Sequence, residues 1–343
     1  MRTVDFRFDV LRNGVKAAEL RQISNPSVRM STKSEIKSSL SGEFLHSSDI
    51  DILSDEIQPV VIINGIEHAC GIFAPATVST GENEVYKTMS IEAYDRCWRV
   101  KTTHTETVKH FSAGQNYVEV VKSLLLEAGI ALVIATPTSE TLRHDREDWD
   151  IGTDLLAIVN MLLNEINYNP LWFDNNGYAI VSPKKQLSAA DISRTYDSGN
   201  ASSMMYMNTS VELDLYNAPN VFICVCSNPD DHTPMTAIAV NNNPISPISV
   251  IRRGRRISKL YKVNNIASQS ALNEYAQLLC QENMLLGEKI SVSTAIIPNC
   301  GVGEVVAIVD DVETGLCYET EWEMELGPGG AMKHTLEKAV SLS

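Results

Sequence analysis

The sequence contains no Cys-x-x-Cys pair, no His-Glu-x-x-His or His-x-x-x-His spacing, no Gly-x-Ser-x-Gly elbow and no Gly-x-x-x-x-Gly-Lys-Ser/Thr loop. Their absence removes the usual signatures of redox dithiols, zinc sites, serine hydrolases and phosphate-loop nucleotide binding. Positive charge is scarce: 28 Lys and Arg stand against 43 Asp and Glu, a net charge of -15. A surface of that sign does not bind nucleic acid or anionic membrane as a whole. Long apolar runs are missing too. Leu155–Leu163 is about half a bilayer span and carries Asn160. The N-terminal MRTVDFRFDV has no apolar core of a secretory signal, so a soluble protein made in the cytoplasm is expected. The seven cysteines are an odd number, and Cys224 and Cys226 alternate within an apolar run. Buried free thiols are the expected state, not a disulfide framework.

What is present is strand pattern. Val4, Phe6, Phe8 and Val10 alternate with Asp5, Arg7 and Asp9, the mark of a half-buried strand. Pro59–Ile63, Glu67–Phe73 and Tyr86–Ala93 follow, with turns at Asn64-Gly65 and Gly81-Glu82-Asn83. Residues 1–102 therefore read as an all-β barrel or sandwich. The period then changes. Tyr117, Val120, Val121, Leu124 and Leu125 predict a helix over Asn116–Ala128, ended by Gly129. A strand over Ile130–Ala135 precedes a second helix, Thr153–Ile166, with acids at its N-terminus. A hairpin follows, from Pro170–Asp174 through Asn175-Asn176-Gly177 to Tyr178–Ser182.

Strands return at Ser203–Met207, Val221–Cys226, Thr236–Val240 and Arg256–Val263. A helix over Ser270–Leu286, stopped at Gly287, and the strands Lys289–Ile296, Glu304–Val309 and Leu316–Leu326 complete the chain. The fold class is α+β and β-rich. The expected domains are a first β-barrel over 1–102, an α+β insert over 103–202 plus 235–288, and a second β-barrel over 203–234 plus 289–343.

Candidate chemistry is thin. The acids Asp145, Glu147, Asp148 and Asp150 sit where a helix dipole favours negative charge, which explains them without a metal. Arg252, Arg253, Arg255, Arg256, Lys259 and Lys262 form the one basic stretch, with Tyr261 as its sole aromatic. A solvated strand or a patch meeting an acidic neighbour explains it better than nucleic acid. No catalytic, cofactor or metal residue is assigned.

One pattern is unusual. From Tyr318 to Leu326 every second residue is glutamate: Glu319, Glu321, Glu323 and Glu325. Strand geometry predicts these four on one face and Thr320, Trp322, Met324 and Leu326 on the other. Such a row must meet water. It makes either an ordinary solvated face or the lining of an aqueous channel built by several copies, along which DNA would slide without cation contacts.

Four stretches carry a resemblance. They are SLSGEF with IDILSDEIQPVVIINGIEHACGIFAPAT and IEAYDRCW; DREDWDIGTDLLAIVNMLLNEINYNPLWFDNNGY; NAPNVFICVCSNPDDHTPMTAIAVNNNPISPISVIRRGRRI; and IASQSALNEYAQLL with ISVSTAIIPNCGVGEVVAI and the glutamate strand. Together the chain resembles the hub proteins of tailed-phage baseplates and related injection particles. That resemblance implies two tube-type barrels per chain and a homotrimeric ring of sixfold pseudo-symmetry. Such a ring mates with the tail tube protein on one side and a spike or fibre protein on the other, among distal tail or baseplate proteins. It implies a place in a virion or phage-tail-like particle, DNA passing through without specific binding, no cofactor, and no enzyme activity. Because the chain ends at Ser343, soon after the second β region, any fused activity of longer relatives is expected in another chain. A monomeric binding module and a cell-wall hydrolase are the alternatives.

Overall fold

A computed structural model describes residues 2–339 except 83–84, 185–188, 201–203, 207–208, 214–217, 227–234, 264–265, 267, 285–287 and 302. In chain order the first strands are β1 (Val4–Arg12), β2 (Val15–Leu20), β3 (Ser27–Ser31), β4 (Ser38–Leu45), β5 (Glu56–Ile63), β6 (Ile66–Ala69), β7 (Phe73–Glu82) and β8 (Lys87–Asp95). The middle block is α1 (Cys97–Thr102), β9 (Lys109–Phe111), α2 (Tyr117–Glu127), β10 (Val133–Ala135), β11 (Arg146–Trp149), α3 (Leu155–Glu165), β12 (Trp172–Phe173) and β13 (Ala179–Val181). Then come β14 (Ile192–Asp197), β15 (Ser210–Leu213), β16 (Val221–Cys226), β17 (Met235–Val240), α4 (Val250–Arg253), β18 (Ser258–Val263) and α5 (Gln269–Met284). The last strands are β19 (Glu288–Ala295), β20 (Val305–Val309), β21 (Thr314–Glu325) and β22 (Ala331–Ala339).

Local chemistry explains the boundaries. Asn13-Gly14 and Asn64-Gly65 all take positive φ, which closes the β1–β2 and β5–β6 hairpins with the twist the strands require. Asn116 caps α2 by accepting from the amides of Val118 and Glu119, and Asp154 caps α3 by accepting from Ala157. Gly129 and Gly177 also lie at positive φ, at the end of α2 and in the β12–β13 turn. Asn83 of the expected hairpin tip, Ser203 and Met207 of an expected strand, and Gly287 after α5 lie outside the described residues.

The sheets tie distant parts of the chain together. One sheet runs β15-β19-β22-β21-β3-β4-β8-β7-β5-β1-β2, with β6 on β5 and β20 joining β14 to β21. Its pairs are antiparallel apart from β14 and β20. The β3–β21 pair joins the N-terminal strands to the C-terminal ones in register, Trp322 opposite Met30 and Met324 opposite Val28. The chain is thus β-rich with α+β character, as its sequence implies.

Two groupings differ from those expected. β16, assigned by sequence order to the second β region, lies in a separate sheet β17-β16-β18 packed on α5. Its inward Phe222, Cys224 and Cys226 belong to the helical core. β14, assigned to the insert, instead pairs in parallel with β20. Both pairings are non-local, which strand order along the chain does not encode.

Three cores result. Phe8, Phe44, Phe73, Trp322 and Met324 share one, so the C-terminal strand completes the N-terminal core. Tyr196, Ile290, Val306, Cys317 and Leu336 form a smaller one. α2, α3, α5, β13 and β16 enclose the largest. All seven cysteines are free and buried.

Candidate functional site: a polar sheet face above a buried ionic cluster

The glutamate strand β21 carries two kinds of glutamate. Glu321, Glu323 and Glu325 alternate with buried Trp322 and Met324, so their carboxylates project from the outer face. Glu319 does not join them. The pairing passes from Glu319–Leu336 to Glu321–Thr335, two residues on β21 against one on β22. This bulge reverses the side-chain direction. Glu319 is 0% exposed. The expectation that all four glutamates share one solvated face therefore fails at Glu319, because the period of two is interrupted by one residue.

Beneath the strand, Glu319 belongs to an ionic cluster. Its Oε1 lies 2.5 Å from His334 Nδ1 and accepts from the Tyr196 hydroxyl at 3.2 Å. His334 Nε2 lies 2.8 Å from Thr294 Oγ1. Glu319 Oε2 makes no hydrogen bond and stands 3.5 Å from Arg194 Nη1. Arg194 also holds Glu304 at 2.5 Å and donates to Cys300 Sγ at 2.7 Å. Burial, then the Glu319 charge, push the Tyr196 phenol above its ordinary range, and burial does the same to the Cys300 thiol. Both stay protonated.

Hydroxyl, imidazole and carboxylate in line are the parts of a nucleophilic triad. Thr294, His334 and Glu319 are at most 1% exposed, so no substrate reaches them. The cluster joins β14, β19, β21 and β22 from inside, which is a structural task. Sequence spacing alone did not single it out, since its members lie as far as 138 residues apart.

On the outer face the registers line up polar side chains across strands from both ends of the chain. One rung runs Thr77–Glu92–Ser41–Ser27–Glu325 from β7 to β21. A second runs Ser39–Arg29–Glu323–Lys333–Ser293, and a third Glu321–Thr335–Ser291–Ser210. The opposite face of the same strands carries Val28, Leu40, Ala93, Met324 and Met332, all buried. Arg29 donates to Glu321 at 2.8 Å, and Lys333 stands 3.7 Å from Glu325. The face is hydroxyl-rich and carboxylate-rich, and two of its cations, Arg29 and Lys333, stand beside Glu321 and Glu325. Beside it, an open pocket of about 400 Å³ is lined by Arg29, Ser39, Tyr94 and Trp98 among others.

The remaining candidates are dispersed. Asp145 accepts from the Ala113 amide, while the side chains of Glu147 and Asp148 lie outside the described residues. The basic stretch spans α4 and β18, on another sheet from the glutamates. Among the described residues no group of three or more His, Cys, Asp or Glu is placed to hold a metal. No helix of the described residues is long and apolar enough to cross a membrane.

No protein-family model matches the chain, and no curated protein matches its sequence. Solved structures do match. A tail protein from Neisseria meningitidis MC58 aligns with a TM-score of 0.70 at 11% identity, covering 97% of this chain and 97% of that one. The 43 kDa tail protein of prophage MuSo2 from Shewanella oneidensis gives 0.68 at 10% identity, covering 98% and 99%. A type VI secretion component from E. coli, described as similar to bacteriophage T4 tail proteins, gives 0.51 at 9% identity over 96% of this chain and 76% of that one. The chain therefore has the fold of phage tail proteins along nearly its whole length.

Proposed function

We propose that this chain is a structural hub subunit of a phage-type tail or tail-like particle. Three copies form a ring that joins the tail tube to a spike or fibre, and the outer polar face lines the passage. The observation that carries the reading is the continuity of that face. Its rungs cross from β7 to β15 through the β3–β21 join, and along them run serine, threonine and glutamate. Hydroxyls and carboxylates keep a lumen wet and offer no counterion-releasing cations to DNA. Arg29 and Lys333 stand beside Glu321 and Glu325, which offset part of their charge. The fold shared with two tail proteins over nearly all of each solved chain supports the same reading.

In this ring each chain contributes two tube-type β units, one from residues 1–102 and one from β14, β15 and β19 to β22, with the α+β part between them. Tube, distal tail or baseplate, and spike or fibre proteins are its neighbours in the particle. The role is structural and not enzymatic: the Thr294–His334–Glu319 line is sealed from solvent. The test is the solution mass of the chain by light scattering, with negative-stain images of the same peak. A trimer with a stain-filled centre is expected. A strict monomer at every concentration, or a dimer without a hole, would overturn the ring.

A further inference from the structure

The sheet β17-β16-β18 packs one face on α5, and among the described residues its other face carries exposed aliphatic side chains. Across that other face the registers align Ile238, Ile223 and Leu260 in a single row. Ile238 and Leu260 are 60% and 54% exposed. Exposed Arg255 and Arg256 precede β18, and Lys262 stands two residues beyond Leu260 on the same strand face. Residues 252–262 hold six Lys and Arg and no Asp or Glu, in a chain whose net charge is -15. An aliphatic row with a cationic rim fits an acidic protein surface that itself bears apolar side chains. It does not fit nucleic acid, whose bases stack on aromatic rings. Tyr261, the aromatic of β18, lies on the opposite face and stacks on Phe222 at 6.2 Å.

A surface of the complementary kind exists on the same chain. The turn from β20 to β21 reads Val309-Asp310-Asp311-Val312-Glu313. Val309 and Val312 are 43% and 59% exposed, and Asp311 is exposed between them. The turn is held by Asp310 donating its amide to Glu313 and by Thr314 Oγ1 donating to Asp310. Both patches are exposed within one chain, so neither covers the other there.

We propose that this aliphatic β17-β16-β18 face of one copy receives the β20–β21 turn of the next copy. The contact is heterologous, so repeating it closes a ring or extends a filament. It rests on the ring proposed above and names the two surfaces that make it. Its charged rim makes the contact weaken as salt rises.

Charge swapping tests it on the full chain. R255E/R256E/K262E and D311K/E313K are each expected to weaken self-association roughly tenfold or more. A single chain carrying both sets of changes is expected to regain it, since its face and its turn are again of opposite charge at every contact of the ring. Far-UV circular dichroism and unfolding midpoints like those of the wild type show that the variants are folded. I238S/L260S, which changes no charge, is expected to lose association as well. Any of these three loss variants associating like the wild type would overturn the proposal. So would a combined variant that fails to recover while the wild type forms rings, and that outcome leaves the ring itself standing. A wild type that never associates removes the ring reading and this contact together. Retention of a short DNA duplex or an anionic vesicle by the basic face, with association unchanged in R255E/R256E/K262E, would also overturn it.

Discussion

Glu319 and His334 face each other across the β21–β22 pair at 2.5 Å, and both side chains are 0% exposed. The contact exists because one bulge turns a glutamate of an otherwise outward row into the core. Removing one partner of a buried hydrogen-bonded pair leaves the other unsatisfied in the core. Replacing His334 by Leu is therefore expected to cost about 3–5 kcal/mol, and Glu319→Leu a similar amount. The double variant is expected to cost less than the sum, because neither partner is then left without the other. Urea unfolding of the four proteins gives the cycle. Additive losses would mean that the pair is not coupled.

Trp322 sits 4% exposed between β3 and β22, and its indole nitrogen donates to Gly301 at 3.1 Å. Trp322→Phe keeps most of the ring and loses the hydrogen bond, at a cost of about 1–2 kcal/mol. Trp322→Asp puts a charge into the core shared by both ends of the chain and is expected to prevent folding. A soluble Trp322→Asp variant with wild-type circular dichroism would contradict the assigned strand faces.

Asp95 ends β8 and accepts from the amides of Ser38 and Cys97. Burial raises its pKa from 3.8 to about 6. The fold thus binds this proton more tightly than the unfolded chain does. That contribution is complete below pH 3.8 and is lost as pH rises through 6. The shift corresponds to about 3 kcal/mol between the two limits. Asp95→Asn carries no charge, so its stability is expected to lose this fall between pH 4 and 6.5, about the range of the shift. The check is unfolding free energy against pH for both proteins; parallel curves would exclude Asp95 as the source.

Much of this architecture is legible in the sequence because it is local. The alternation Val4–Val10, the Asn64-Gly65 turn, the caps Asn116 and Asp154 and the helical spacing of Tyr117–Leu125 depend only on near neighbours. What escapes is set by partners far along the chain. Nothing near Val221–Cys226 says that it pairs with Ser258–Val263 and packs on α5. Glu165 reads as a helical acid until Arg146, 19 residues earlier, meets it in the core with the Tyr117 hydroxyl. The glutamate row was visible, but its inward member was not, since a bulge leaves the alternation of residue types intact. The serines of β3 and β4 carried no signal until register set them beside Glu325 and Arg29.

The two classes of glutamate on β21 give opposite expectations for the same chemical change. Glu321, Glu323 and Glu325 lie on the wet face, where one cation more or less is a surface event. Changing all three to Lys loses the Arg29 and Lys333 contacts, each exposed and worth about 0–1 kcal/mol. The triple variant is expected to fold and to assemble like the wild type. Glu319→Lys instead sets a second cation beside Arg194 in a buried cluster, and is expected to yield no folded protein. If the outer face lines the passage, the folded triple variant turns that wall positive, and DNA gains contacts that hold it there. Its rings are then expected to retain a DNA strand at low salt, and the wild type to release it. Equal release by both would leave the three glutamates as ordinary outer surface.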